Sequence, residues 1–493
     1  MSIRSYTFVG AAASERAGFS VSSAGDVDGD GLDDLIIGAH YAEGGAFRSG
    51  ESYLVLSADL AAIDAADGLS DGVVDLALVA GVGGSYRFEG VGSWDLAGQS
   101  VASAGDIDND GLADLIIAAR LADGGGADSG ETYLIRAADL AAADAADGTT
   151  DGVINLGLVG GTGGSYRFVG AEGDSGHSVT SAGDVDGDGL DDVMVGRINT
   201  DVNGTNTGSA TLILAADLVA ADAADGTTDG TIELDRLGAI GGSYLFHGRA
   251  PEDQTGNAIA AGDADGDGKD DVLIGAPTAD FTGLNNGRVY LVTSADLTAA
   301  DAADGTVDGG INLRDVAGIG GSYEFRGNAA LDGAGNSVAF VGDLDGDGKE
   351  DILIGAWQAD PNGKADAGIS YLILAADLAA IDAQDGVQDG VILLGQVAGT
   401  GGSYQFNGAL AGDRSGFSVA SAGDVDGDGV ADLIIGARFA DGGGLTSGET
   451  YLVLDKDLAA LDAADGTTDG VIDLGLVAGV GGSYQFVGAA AGD

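Results

Sequence analysis

One segment of the form S-Y-x-F returns along the whole chain, at Tyr6, Tyr86, Tyr166, Tyr244, Tyr323, Tyr404 and Tyr484, with intervals of 78 to 81 residues. A period of this length means that one supersecondary unit has been repeated, so 493 residues are not to be divided by a typical domain size. Within each interval the parts keep one order, shown by the first: Phe19 to Gly25, an Asp-rich loop, Leu35 to Ala39, Tyr53 to Leu56, a small-residue insert, and Ser85 to Glu89. The apolar segments are short, rich in Val, Ile, Leu, Tyr and Phe, and bounded by Gly and Asp, which predicts strands.

Four strands per unit cannot bury both faces of a sheet alone, so units must stack. Radial stacking predicts an all-β fold, a β-propeller of four-stranded blades with short helical inserts; a β-solenoid or beads on a string is the alternative. The six complete units run over about 11–90, 91–170, 171–248, 249–327, 328–408 and 409–488, read as one propeller over 1–493. Residues 1–10 supply a fourth-strand closure segment and 489–493 the start of a further unit. That leaves open a six-bladed ring with one spare strand for closure, or a piece of a longer protein.

The insert, Ala58 to Ile63 in the first unit, has good helix propensity and is followed by Asp64, Asp67-Gly68 and Asp71-Gly72. The same spacing recurs at Asp144, Asp147 and Asp151 and at Asp462, Asp465 and Asp469. These acids read either as Asx-type turns closing a helix or as a second, weaker cation site.

The pattern D-x-D-[GN]-D-G-x-x-D occurs six times, always between the first and second strand. Carboxylates at positions 1, 3, 5 and 9, with the backbone carbonyl of position 7, form an oxygen-only set suited to Ca²⁺, and Gly at position 6 allows the sharp turn. The expected ligands are Asp26, Asp28, Asp30, Leu32 and Asp34 in the first loop, and Asp106, Asp108, Asp110, Leu112 and Asp114 in the second. They are Asp184, Asp186, Asp188, Leu190 and Asp192 in the third, and Asp263, Asp265, Asp267, Lys269 and Asp271 in the fourth. The fifth loop offers Asp343, Asp345, Asp347, Lys349 and Asp351, and the sixth Asp424, Asp426, Asp428, Val430 and Asp432. An EF-hand would need Glu at position 12, where Ile37, Ile117, Val195, Ile274, Ile354 and Ile435 stand. About six Ca²⁺ ions per chain are expected, one per loop.

An Asp loop followed by an apolar strand ending in Gly-Ala, as in Gly275-Ala276-Pro277, and preceded by Gly-Phe, as at Gly18-Phe19 and Gly416-Phe417, resembles the FG-GAP repeat of integrin α propellers. The resemblance covers essentially the whole chain, although His40, Arg120, Arg197, Trp357 and Arg438 stand where the family's Pro would be. It implies a seven-bladed ring, of which these six units would be part, and a calcium-stabilised extracellular adhesion module, secreted or on a cell surface, that binds a protein or glycan partner. A domain of a large bacterial-type adhesin fits the near-identity of the repeats.

The net charge of −61 disfavours nucleic acid and anionic membranes, and no apolar run approaches the length of a membrane span. No Cys is present, so ions and packing must supply stability. The three histidines, His40, His177 and His247, fall at unrelated phases of the repeat, and no G-x-S-x-G elbow occurs. The expectation is therefore no enzymatic activity and no catalytic residue; a Ca²⁺-dependent phosphodiesterase-like hydrolase and a purely structural spacer are the rival readings.

Overall fold

The computed structural model describes residues 5–171, 173–281 and 283–491, so the outermost residues assigned above to a closure segment and to a further unit lie outside the described residues. The chain forms two compact units, one of Met1–Thr200 with Thr211–Leu245, the other of Asp201–Ala210 with Phe246–Asp493.

In the first unit, β1 (Thr7–Val9) is followed by β2 (Ser20–Gly25), β3 (Asp34–Ala39), β4 (Glu51–Val55), a 3-10 turn at Ser57–Asp59, α1 (Leu60–Asp64), β5 (Val73–Asp75) and β6 (Tyr86–Glu89). Strands β2, β3, β4 and β6 form an antiparallel meander, the blade of a β-propeller. The next repeat builds the same meander from Ala97–Gly105, Asp114–Ala119, Glu131–Ile135 and Tyr166–Val169, and Ser175–Gly183 pairs with Asp192–Arg197 to open a third.

Blades pack face to face because alternate residues of each strand point to opposite sides. Leu115 and Ile117 lie in the core shared with Ile36, Leu54 and Phe88 of the preceding blade. Ile116 and Ala118, on the other face, pack with Val179, Val193 and Val195 of the following one. In the second unit the same layering puts Leu273, Leu291 and Phe325 against Ile352, Ile354 and Tyr371, and Leu353, Leu372 and Phe406 against Leu433, Ile435 and Tyr451.

The structure adds a fifth strand just past the insert turns, at residues to which the sequence pattern assigns no element. β5 pairs in parallel with β1, Phe8 opposite Val74, and Val153–Asn155 pairs with β6, Phe88 opposite Ile154. Phe168 likewise faces Ile232, Phe325 faces Ile392 and Phe406 faces Ile472. Each repeat therefore reaches back and straps the outer strand of its predecessor. Ile392 and Phe325 are wholly buried. Ile392→Ala is expected to destabilise the protein by about 2–5 kcal/mol through transfer and cavity terms, read by urea denaturation.

The insert acids hold this strap. Asp64 Oδ1 accepts the Gly72 N–H at 2.9 Å, and the same contact joins Asp144 to Gly152, Asp222 to Gly230, Asp301 to Gly309 and Asp462 to Gly470. Asp67 and Asp71 accept from Leu69 and Val73 two residues on, the Asx geometry. Of the two readings of the insert, the turn role is the one these contacts display.

The Ser of S-Y-x-F has a task too. Ser85 Oγ accepts the Leu56 N–H at 3.0 Å and donates to Asp59 Oδ2 at 2.9 Å, while that carboxylate also takes the Gly84 N–H. Gly83, at φ +59°, must be Gly because a Cβ there would lie 1.9 Å from Asp59 Oδ1.

Candidate metal centre

The tight hairpin between β2 and β3 forces the Asp loop to fold on itself, and its carboxylates are first used to hold backbone. Asp26 Oδ1 accepts from the N–H groups of Gly29 and Asp30 at 2.8 and 3.0 Å, and Oδ2 from Gly31 at 2.9 Å. Asp28 accepts from Asp30, and Asp30 from Leu32. Gly29 and Gly31 carry the positive φ values, +76° and +85°, that the winding requires. The fourth loop repeats this around Asp263, with contacts from Gly266, Asp267 and Gly268.

Position 9 is the anchor. Asp34 is 1 % exposed, takes the Val27 N–H on Oδ2 at 3.0 Å and the Ser57 N–H on Oδ1 at 2.8 Å, and so ties the loop to the end of β4. The same two-handed grip recurs at Asp114, Asp192, Asp271, Asp351 and Asp432. A carboxylate oxygen has two lone pairs, so this grip leaves acceptor capacity facing the loop.

The expected ligands come together in part. Carboxylate oxygens of positions 1, 3 and 9 lie within 4.8 Å of one another in the first four loops: Asp26, Asp28 and Asp34; Asp106, Asp108 and Asp114; Asp184, Asp186 and Asp192; Asp263, Asp265 and Asp271. In the fifth loop the grouped residues are Asp343, Asp345 and Asp347. Position 5 accepts a backbone N–H in every loop, as positions 1, 3 and 9 do: Asp30 from Leu32, Asp110 from Leu112, Asp188 from Leu190, Asp267 from Lys269, Asp347 from Lys349 and Asp428 from Val430.

Bringing carboxylates this close without a cation is unfavourable, and the site shows it. Burial, reinforced by the neighbouring Asp charges, raises Asp114, Asp271 and Asp351 to about 7 and Asp192 to about 8, although two backbone N–H bonds oppose the shift in each. Asp34 is shifted the same way. Two side-chain cations stand in at position 3: Arg136 pairs with Asp108 and Lys456 with Asp426. An all-carboxylate donor set, held ready on a rigid hairpin and short of positive charge, fits a hard divalent cation.

Residues 17–55, 97–135, 255–292, 334–373 and 415–453 match the FG-GAP repeat, each span running from the first strand through the Asp loop to the third strand. The chain is 25% identical over 227 residues to integrin alpha-PS2 of Drosophila melanogaster, covering 45% of this chain and 13% of the relative. Human integrin alpha-IIb is 28% identical over 187 residues, 38% of this chain and 15% of the relative. Integrin alpha pat-2 of Caenorhabditis briggsae is 27% identical over 297 residues, 58% and 19% of the two chains. The chain thus spans less than one fifth of the length of each of these relatives. Five FG-GAP repeats thus lie over the strand–loop–strand units of this chain, which in these units is similar to integrin α chains.

Proposed function

We propose that the protein is a calcium-stabilised extracellular interaction module, an adhesion propeller that binds a protein or glycan partner and performs no catalysis. The Asp loops carry this reading: each would hold one Ca²⁺ through positions 1, 3 and 9, joined by position 5 and the carbonyl of position 7. Six ions would offset about 12 of the 61 net negative charges, leaving a strongly acidic surface. Protein cages of this kind in extracellular modules work at about millimolar Ca²⁺, which supports a secreted or surface location. No helix among the described residues is long and apolar enough to cross a membrane. The regularity of the repeats supports a binding scaffold over an enzyme, whose site is one irregular place.

Calorimetric titration should count about six ions, and immobilised protein should retain a glycan or cell-surface protein in calcium but not in chelator. Turnover of a phosphodiester or glycoside with no retained partner would transfer the assignment to a hydrolase.

The raised position-9 acids add a pH signature. With a folded pKa of about 7 to 8 against 3.8 unfolded, such a group is still at least about half protonated at neutral pH in the calcium-free fold. Its contribution to stability is full below pH 3.8 and is lost as pH rises to about 8, so the calcium-free protein should melt progressively lower over that window. Because the ion binds the carboxylate, calcium addition at pH 7 should release protons, read as a dependence of binding enthalpy on buffer ionisation.

A further inference from the structure

Where two consecutive repeats meet, the loop after the second strand of one is clipped to the segment that opens the next. Trp94 N–H donates to Phe47 O at 3.0 Å, as Leu331 N–H does to Leu284 O at 2.7 Å and Gly412 N–H to Ala365 O at 2.9 Å. The clip sets two left-handed residues side by side, with φ +75° at Trp94 and +52° at Arg48, and similar angles recur at Leu331 with Asn285 and at Gly412 with Asp366. Asn, Asp and Gly suit such a backbone, and Asp128, Asn206, Asn285 and Asp366 hold the place of Arg48 in other repeats. A bulky Trp at positive φ is an outlier, and strain of this kind is kept where the side chain is needed.

The strained pair carries an exposed aromatic platform. Phe47 is 51% and Trp94 45% exposed, and their rings meet edge to face at 5.4 Å. The Arg48 guanidinium lies over Trp94 at 4.6 Å and over Tyr41 at 4.4 Å. Arg87, Arg120, Arg136, Arg167, Arg197 and Arg236 of the same compact unit each pair with a carboxylate. Among the described residues Arg48 forms no such pair, in a chain with 80 Asp and Glu against 19 Lys and Arg. Flanking repeats leave this place open: Leu284 and Leu331, whose junction has a repeat on either side, remain 67% and 52% exposed.

We propose that this platform, at the junction of the first two repeats, binds a saccharide unit that carries one carboxylate, a sialic or uronic acid. The inference rests on the interaction-module reading above and names its partner. The planar fork of Arg48, steadied by two rings, suits paired N–H bonds to a carboxylate that the protein itself does not supply. The rings of Trp94 and Phe47 take the apolar C–H face of the sugar. Two rings are far too small an area for a protein partner, which needs about 800 Å² per side. The net charge of −61 repels a long polyanion much more than a single carboxylate set on an arginine.

The test is calorimetric titration of the full chain in calcium buffer, up to about 10 mM sugar, with sialyllactose and glucuronosyl-lactose, each beside its carboxyl-reduced form. Arg48→Asn and Trp94→Gly install residues that other repeats carry at the same backbone angles, Asn285 and Gly412, so both variants should melt no lower than wild type. Wild type is expected to bind an acidic sugar at least tenfold more tightly than its reduced form. Arg48→Asn should erase that difference, and Trp94→Gly should weaken the acidic sugar at least tenfold. No acidic sugar bound by wild type, or binding unchanged in both variants, would overturn the proposal. A cell surface retained equally by all three proteins, with no sugar bound, would overturn this site and keep the interaction module; no surface retained and no sugar bound would remove both.

Discussion

Excess chelator is expected to lower the thermal midpoint of this protein by roughly 15 °C relative to millimolar calcium, with about six ions released. A ligand present at 100 times its dissociation constant stabilises the folded state by about 2.7 kcal/mol per site, so six equal sites give about 16 kcal/mol. A chain of this length has an unfolding entropy near 1 kcal/mol/K, which converts that figure to about one degree per kcal/mol. The shift should not be shared evenly. The second and sixth loops already carry Arg136 and Lys456 against Asp108 and Asp426, so an ion there must displace a cation, and these sites should fill last. The first three loops lie in one compact unit and the last three in the other, so both transitions of a two-step melt should move. Circular dichroism melts with calorimetric ion counting read the result; an unchanged midpoint with no bound ion would remove the metal reading altogether.

How far the residues announced this arrangement depends on the range over which their interactions act. The Asp loops could be read directly because all their parts lie within nine residues, and a hairpin loop that short has few ways to fold. Strands β2, β3, β4 and β6 were legible to within a residue or two from apolar runs between Gly and Asp. β5 was not, since three residues between Asp71-Gly72 and a 3-10 turn look like turn chemistry, and its partner belongs to the preceding repeat. The Ser85–Asp59 clamp spans 26 residues and was hidden for the same reason, although the invariant spacing of the two within each repeat was a usable signal. Position 5 was expected to converge with positions 1, 3 and 9. In the fifth loop Asp347 does lie with positions 1 and 3 while accepting the Lys349 N–H, whereas in the first four loops the carboxylates drawn together are those of positions 1, 3 and 9, a choice of side-chain rotamer that spacing alone does not make. Likewise, Asp34 was read as a ligand only, and its grip on Val27 and Ser57 appears once the third strand is in place.

That double duty makes position 9 the most sensitive place in each blade. Asp271→Ala is expected to cost about 3 kcal/mol even in chelator, where no ion can contribute, because Ala264 N–H and Ser294 N–H lose a buried acceptor at 3.0 and 2.8 Å. In calcium the cost should grow by the stabilisation that the ion at this loop supplies, about 2 to 3 kcal/mol. Asp265→Ala offers the contrast. Its carboxylate accepts only from Asp267 within an exposed turn, so in chelator the substitution should stay within about 0.5 kcal/mol of wild type, or stabilise slightly by removing a charge from the cluster. In calcium the same change should remove a first-rank ligand and one bound ion. Urea denaturation of the full chain with and without calcium, run on both variants, separates the two duties. Equal costs for Asp271→Ala in both buffers would leave position 9 a structural clamp that does not touch the ion. A cost confined to calcium would mean that the backbone grip holds no stability of its own.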